Sequence, residues 1–281
     1  MLTGHSVNKE TTVLLIVEGD TIEDEFFRCI ASAFGISARI IPYKTNIYKL
    51  YEALKQANFS ANVCGILKES AAADDKKLFD LKYAAIYLVY DADFQHCDKG
   101  ENALTIEQRI AKNLPRLAEM AEYFTNETDD TIGKLFINYP MMEAYKDCDV
   151  FFEEAYKDRR VSICDLLHNG YKKSVSQRKV NGKAVKKLSN KDFRDIVKCA
   201  LYKYAFIMGN GWRALSYRDF ITNLFPAKLL GYERSTIDEY GEVNVINSSV
   251  LFVLDYKGNK DGLYDSLTAD NDTIKNNADM L

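Results

Sequence analysis

The sequence predicts an α/β protein built on a parallel sheet, followed by a mostly helical region. Two observations carry this prediction. Short apolar runs of strand length alternate with longer segments whose apolar residues recur at helical spacing. This alternation continues through residues 13–140, an order that gives parallel strands with helices on both faces of the sheet. After about residue 155 the helical patterns dominate.

The predicted strands share two properties: apolar residues dominate them, and they are short enough to cross a sheet once. They are residues 13–18, 38–43, 83–93 and 133–140. The third, which contains the letters AIYLVYDAD, is the strongest strand signal in the chain.

Capping residues mark the starts of the predicted helices. Thr21 and Asn46 are candidate N-caps of the first two helices. A further helix spans 105–124, and we expect it to break or kink at Pro115. Residues 68–82 are polar and fit either a helix or a loop.

The second part of the chain has fewer strand signals. Residues 176–187 have Asn-Gly at their centre, which fits a hairpin or a flexible loop. Residues 243–258 fit a short helix or strand. We therefore divide the chain into a sheet domain, residues 1–155, and a basic helical region, residues 156–281.

Charge is distributed unevenly along the chain. Residues 1–155 contain 16 basic and 26 acidic residues, a net charge of −10. Residues 156–234 contain 18 basic and 6 acidic residues, a net charge of +12. Residues 235–281 contain 3 basic and 9 acidic residues, a net charge of −6. An acidic block beside a basic block indicates a metal site next to a phosphate-binding surface, although charges also cluster for solubility.

Composition excludes several classes of protein. No apolar run reaches the roughly 20 residues that a membrane-spanning helix needs. The N-terminus is polar and has no signal-peptide apolar core. The 6 cysteines are far apart in sequence, which argues against a zinc site and a disulfide framework. Together these observations predict a cytoplasmic protein.

Acidic residues end two of the predicted strands. Glu18 follows the first strand, and Asp91 and Asp93 end the third. Strand side chains alternate, so Asp91 and Asp93 point the same way. Ligands collect beyond the carboxyl ends of parallel strands, and hard oxygen donors favour Mg²⁺ or Mn²⁺. We therefore predict a metal site, against the plainer alternative that each acid simply begins a turn.

The segments IVEGDTIEDEFF and IYLVYDAD resemble the Toprim fold of topoisomerases, primases and the overcoming-lysogenization-defect (OLD) nucleases. That family has a Glu-Gly after its first strand and D-x-D after its third. The resemblance covers roughly residues 10–155. The E-G-x-T-x-E form is most similar to OLD-like and RloB-like phage-defence proteins, which implies a metal-dependent nuclease of the Toprim type.

The resemblance also implies further site residues. The segment INYPMMEAY resembles the Asn-Pro…Glu segment of these nucleases, so Glu143 would supply another metal ligand. Their second acid stands four residues after the strand-end Glu, where this chain has Ile22. Glu23 or Asp20 would have to substitute, which places a second metal site in question. A lysine often completes such sites, and the sequence leaves its position open.

The implied activity is cleavage of phosphodiester bonds in DNA, RNA or tRNA by two Mg²⁺ or Mn²⁺ ions, with Glu18, Asp91 and Asp93 as catalytic residues. We expect Lys183, Lys186 and Lys187 of the basic block to bind the nucleic-acid backbone. OLD enzymes join the Toprim domain to an ATPase, and this chain has no G-x-x-x-x-G-K-[ST]. A separate ATPase partner is therefore expected in an antiphage system, and a homodimer remains open.

Two other functions compete with this interpretation. A D-x-D motif also holds Mn²⁺ and a diphosphate in sugar-nucleotide transferases, but that function leaves Glu18 and the basic block unexplained. The second alternative is a non-catalytic Toprim module that binds an ATPase sensor or nucleic acid, and the shifted second acid favours it.

Overall fold

The architecture was derived from a computed structural model of the 281-residue chain. The structure describes residues 11–19, 21–60, 62–71, 73, 75–100, 104–124, 132–147, 154–167 and 170–269.

A four-stranded parallel sheet forms the centre of the protein, as the alternating sequence pattern predicts. Its strands are β1 (Val13–Val17), β2 (Ala38–Pro42), β3 (Ala85–Asp91) and β4 (Lys134–Asn138), in the order β2-β1-β3-β4. Every residue of β1 and β4 is buried, which explains their continuous apolar runs. The fold class is therefore α/β, and the arrangement is consistent with a Toprim-like fold.

Helices flank this sheet. They are α1 (Thr21–Ala33), α2 (Ile47–Gln56), α3 (Val63–Ser70) and α4 (Ile106–Tyr123). The strand order moves outward from β1 to β2 and then back across β1 to β3. Right-handed crossovers in opposite directions place helices on the two faces of the sheet. Accordingly α2 packs against α4, whereas α1 packs against a helix of the C-terminal region.

Local sequence signals explain where these helices begin. The side chain of Asn46 accepts a hydrogen bond from the Lys49 amide, so its prediction as an N-cap is confirmed. Thr21 is the first residue of α1, so its prediction as the N-cap, the position just before the helix, is wrong by one residue. Residues 68–82 contain the end of α3 and a 3-10 turn, Lys76–Asp80.

The helix α4 continues through Pro115, so the chain does not break there, and a kink at this position stays a prediction. Proline costs about 3 kcal/mol inside a helix because it removes a hydrogen bond and crowds the preceding turn. The apolar side of α4 outweighs that cost: Ile110 before the proline and Leu117 after it are both buried. A capping box formed by Thr105 and Gln108 further stabilises the first turn.

The C-terminal region is mostly helical, as predicted. Its helices are α5 (Ile163–Leu167), α6 (Gly170–Ser176), α7 (Asn190–Ile207), α8 (Tyr217–Asn223), α9 (Pro226–Tyr240), α10 (Phe252–Lys257) and α11 (Leu263–Thr268). Two short antiparallel strands, β5 (Arg160–Ser162) and β6 (Glu242–Asn244), pair with each other.

Two segments that the sequence leaves ambiguous have defined structures. Residues 176–187 contain a tight turn in which Val180 pairs with Lys183. Asn181 and Gly182 both have positive φ, the conformation for which Asn-Gly is favoured in hairpins. Residues 243–258 contain the end of β6, a 3-10 turn (Ser248–Leu251) and α10.

The two parts of the chain share one continuous hydrophobic core. The helix α7 packs against α1, and α9 packs against α4. Backbone hydrogen bonds also join Tyr139, just after β4, to Ile246. The C-terminal region thus contacts helices on both faces of the sheet. None of the described helices is both long enough and apolar enough to span a membrane.

Candidate functional site

Five predicted site residues come together at the carboxyl edge of the sheet. They line a single cavity of about 720 Å³: Glu18, Glu23, Asp91, Asp93 and Glu143. They come from four places in the chain. Glu18 follows β1, and Asp91 and Asp93 lie at and just after the end of β3. Glu23 is in the first turn of α1, and Glu143 is in a 3-10 turn (Met142–Asp147) after β4. The sixth predicted ligand, Asp20, lies outside the described residues.

Glu18 and Asp91 are direct neighbours. The Glu18 amide donates to the carbonyl of Val89, which continues the pairing of β1 with β3. One carboxylate oxygen of Glu18 then accepts a hydrogen bond from the Asp91 amide at 3.1 Å. An aspartate carboxyl group lies close to its own amide, because the side chain is short. The carboxyl groups of Glu18 and Asp91 therefore share one corner of the cavity.

Gly19 positions Glu23. The Gly19 amide donates to the Glu23 carboxylate at 2.8 Å. A Cβ atom at Gly19 would lie 2.4 Å from Glu23 Oε1, so only glycine leaves room for this contact. The extra residue between Glu18 and the second acid does not remove that acid from the site, since the first turn of α1 brings Glu23 back into the cavity.

Asp93 sits in an unusual backbone conformation. Its φ is +40°, a left-handed value that few residues other than Gly, Asn and Asp tolerate. Gln95 donates a hydrogen bond to its carboxylate at 3.0 Å. Such conformations concentrate at functional sites. Here the turn after β3 directs the second acid of the D-x-D motif into the cavity that Asp91 lines.

Asn138 is a positioning residue that the sequence analysis missed. It is fully buried and pairs directly with Asp91 in the register between β3 and β4. Its side-chain nitrogen Nδ2 lies 3.4 Å from Asp91 Oδ1 and donates to it. Its side-chain oxygen Oδ1 accepts a hydrogen bond from the backbone amide of Ser249. The available signal was the segment INYPMMEAY, which contains Asn138 but was used only to place Glu143. In the structure Asn138 ends β4, at the same edge as Glu18.

Burial raises the pKa of four carboxyl groups in the cavity, and repulsion between carboxylates adds to the shift in three of them, Glu18, Glu23 and Asp91. Burial, followed by the charge of Asp93, raises the pKa of Glu18 to about 8. Burial, together with the charge of Glu143, raises the pKa of Glu23 to about 7. The pKa values of Asp91 and Asp93 are also raised, mainly by burial. The cluster therefore resists full ionisation at neutral pH unless a cation balances its charge.

Lys172 is the second functional residue that the sequence analysis missed. It is an exposed residue of α6 that lines the same cavity. Its charge lowers the pKa values of Glu18, Glu23 and Asp93. The basic block contains many lysines, and nothing in the local sequence distinguishes this one. Only the packing of α6 against the turn after β4 brings it to the acids.

The three lysines predicted to bind nucleic acid lie outside this cavity. Lys183 is 2.8 Å from Asp192, and Lys186 is 3.3 Å from Glu25. Lys187 is exposed. Lys183 lines a neighbouring cavity of about 230 Å³. Contact of these lysines with nucleic acid stays a prediction.

The donor set fits a hard divalent cation in the type of its donors, all of which line one cavity. All five acidic side chains offer oxygen donors, the kind that Mg²⁺ and Mn²⁺ prefer. Within the described ranges, no group of three or more His, Cys, Asp or Glu residues is already arranged as a metal-binding cluster. A cation would have to draw the carboxylates together by side-chain rotation, and its charge would offset the repulsion between them.

Comparisons with known proteins found no matching family model, no similar curated protein and no similar solved structure.

Proposed function

We propose that this protein is a Mg²⁺- or Mn²⁺-dependent nuclease that cleaves phosphodiester bonds in DNA or RNA. One observation carries the proposal: five carboxylates and three lysines line a single cavity at the carboxyl edge of a parallel sheet. Acid clusters of this kind bind hard cations, and ligands of α/β proteins collect at this edge. The resemblance of the strand-end motifs to Toprim nucleases supports the same reaction.

The roles of the chain's own residues follow from their positions. Glu18, Asp91 and Asp93 would hold the cations, with Glu23 and Glu143 completing the ligand set. Bound in pairs, such ions activate water and stabilise the leaving oxygen.

The remaining groups orient the acids and attract the substrate. Asn138 fixes Asp91, and the Gly19 amide fixes Glu23. Lys172 faces the cavity, where its ammonium group can pair with a phosphate oxygen. A cation is needed here because carboxylates alone repel a phosphodiester.

We further propose that the nuclease is the effector of an antiphage defence system that works with a separate ATPase. This part of the proposal is supported by the resemblance of the E-G-x-T-x-E and D-x-D segments to OLD-like and RloB-like proteins.

Metal-dependent cleavage by the purified chain tests the proposal. Supercoiled plasmid, single-stranded DNA and RNA are incubated with Mg²⁺, Mn²⁺ or a chelator. We expect cleavage with the metals, none with the chelator, and loss of at least about 100-fold in Glu18→Gln. The control is Glu122→Gln, the same chemical change at an exposed position of α4, which should retain full activity.

Other results would support the competing functions. Metal binding and nucleic-acid binding without any cleavage would favour a non-catalytic module. Turnover of a nucleotide sugar would favour a transferase. Cleavage that persists in Glu18→Gln would place the activity outside the acidic cavity and contradict the proposal.

A further inference from the structure

The cavity that contains the acids extends beyond them to a cationic corner. The turn between β2 and α2 contributes Lys44, Thr45 and Asn46 to its lining, and the first turn of α2 contributes Lys49. Both lysines are exposed. In the strand order β2-β1-β3-β4, this turn lies beside the end of β1, and therefore beside Glu18. The cationic corner and the acids form one row along the edge of the sheet.

This corner is fixed relative to the acids. Tyr48, on the first turn of α2, is buried and donates a hydrogen bond to the carbonyl of Ala92 at 2.6 Å. Ala92 is the residue between Asp91 and Asp93. The Tyr48 ring also stacks on His96, with 4.8 Å between ring centroids and 10° between planes. Any group held by this corner therefore has a defined position relative to the D-x-D motif.

The lysine side chains, and not the helix end itself, are what the corner offers a ligand. Asn46 Oδ1 already accepts a hydrogen bond from the Lys49 amide at 3.1 Å. The Asn46 amide group lies 3.4 Å from a ring nitrogen of His96. The first turn of α2 is thus capped from within the chain. The side chains of Lys44 and Lys49 both line the cavity, and a lysine ammonium group is a point charge suited to phosphate.

The size of the cavity indicates what the anion belongs to. At about 720 Å³ it is in the range of pockets that hold a drug-sized ligand, much larger than one phosphate. A polynucleotide carries a phosphate on each side of every nucleotide. A cleft with acids at one position and two lysines beside them therefore suits two successive phosphates of one strand.

We propose that Lys44 and Lys49 bind the phosphate next to the one that is cut, so that the site acts on a strand with successive phosphates. This inference rests on the proposed nuclease function. It assigns the contacts nearest the reaction to the turn between β2 and α2 and to the first turn of α2. Lys186 and Lys187 lie outside the cavity and would contact a substrate farther from the cut.

A short substrate series tests the inference directly. Dinucleoside monophosphates contain one phosphodiester bond and no neighbouring phosphate. Adding a terminal phosphate at the 5′ or the 3′ end supplies that neighbour on one side. Each compound is prepared in deoxyribose and ribose form, and kcat/KM is measured with Mg²⁺ and with Mn²⁺.

The wild-type chain should gain at least about tenfold in kcat/KM from a terminal phosphate on one of the two ends. In Lys44→Ala/Lys49→Ala this gain should disappear, while cleavage of the plain dinucleotide changes less than about threefold. The matched control, Lys186→Ala/Lys187→Ala, also removes two exposed lysines and should keep the gain. Unchanged melting temperatures would show that all variants are folded.

Each contrary result has its own meaning. A gain that persists in Lys44→Ala/Lys49→Ala overturns the inference and leaves the nuclease function standing. If a terminal phosphate gives the wild-type chain no gain in kcat/KM, the neighbouring phosphate is not bound. That result also overturns the inference and leaves the nuclease function standing. Equal losses on all substrates would place the two lysines at the scissile group instead. Absence of cleavage of this series and of longer DNA and RNA would overturn the nuclease function, and the inference with it.

Discussion

The two ends of the central sheet differ in how their buried charges are balanced. At the amino end, the Lys134 side chain is 1% exposed, and its ammonium group lies 2.5 Å from Asp255 Oδ1. The other oxygen of Asp255 accepts a hydrogen bond from Tyr87 at 2.8 Å. At the carboxyl end, burial raises the pKa values of Glu18 and Asp91, and repulsion from neighbouring carboxylates, Asp93 among them, raises them further.

This difference separates a structural charge from a functional one. Where the fold needs a buried charge, it supplies a partner at hydrogen-bond distance, because an unpaired buried charge is costly. At the carboxyl end the chain gathers like charges instead. The balancing charge is expected from outside the chain, as a metal ion.

The largest effect is expected from making the same substitution, carboxylate to amide, at each end of the sheet. Asp255→Asn leaves Lys134 buried without a counter-charge and should lower the free energy of unfolding by about 3–5 kcal/mol. Glu18→Gln removes one of several repelling carboxylates and should be neutral or slightly stabilising without metal. Urea denaturation of both variants at pH 8 in chelator measures the difference.

A large loss of stability in Glu18→Gln would make Glu18 a structural residue and remove the contrast between the two ends. Little effect of Asp255→Asn would show that the Lys134 pair contributes nothing net to stability.

The next effect concerns pH and metal together. Glu18 and Glu23 have folded-state pKa values of about 8 and 7, above the ordinary value of 4.5. The folded state therefore binds these protons more tightly than the unfolded state. The contribution of these bound protons to the free energy of unfolding is fully present below about pH 4.5. It is lost as the pH rises towards 8.

Adding Mg²⁺ or Mn²⁺ should reverse this loss at pH 8 and have little effect at pH 5. A metal at 100 times its Kd would add about 2.7 kcal/mol to the free energy of unfolding. Melting temperatures with and without metal across this range provide the measurement. Equal metal stabilisation at both pH values would show that these carboxylates do not bind it.

A smaller, local effect is expected at Gly19. Gly19→Ala places a Cβ atom against Glu23 Oε1 and should displace that side chain. The displaced atoms are the end of a flexible side chain, so stability should change by less than about 1 kcal/mol. Metal affinity and cleavage should nevertheless fall about tenfold.

Gly65→Ala is the matched control for this substitution. Gly65 lies on the exposed surface of α3, where a Cβ atom meets nothing closer than 3.8 Å. Alanine favours helix over glycine there, so the control should be neutral or stabilising by up to about 1 kcal/mol. Retention of full metal affinity in Gly19→Ala would show that Glu23 is not a ligand.

The smallest effect is expected at Asp98, only five residues after Asp93 but outside the acid cluster. Lys112, at 2.7 Å, is the main cause that lowers the pKa of Asp98 to about 2, with further help from Arg116. Asp98→Asn should cost at most about 1 kcal/mol, since the side chain is 43% exposed.

The sign of the pH dependence at Asp98 is opposite to that of the cluster. Its stabilisation is present above about pH 4 and is lost as the pH falls towards 2. A difference between Asp98→Asn and the wild type that grows with rising pH above 5 would contradict this assignment.

Much of the fold could be predicted from the sequence because its signals are local. The apolar runs of β1 and β3 are buried on both faces of a parallel sheet, so their burial appears directly as continuous hydrophobicity. The order of strands and helices then limits the topology, because crossovers are right-handed. Glu18, Asp91 and Asp93 could be predicted as neighbours for the same reason, since parallel strands end at one edge.

The tertiary structure alone decided the rest of the site. Pro115 predicts a break by local rules, but burial of the residues around it holds α4 together. Lys172 belongs to a region remote in sequence from the sheet, and α6 delivers it to the acids by packing. Contacts between distant segments depend on shape and burial in three dimensions, which leave no periodic signal in the chain. The sequence by itself therefore determined which edge of the sheet carries the acids, and the packing determined which cations face them.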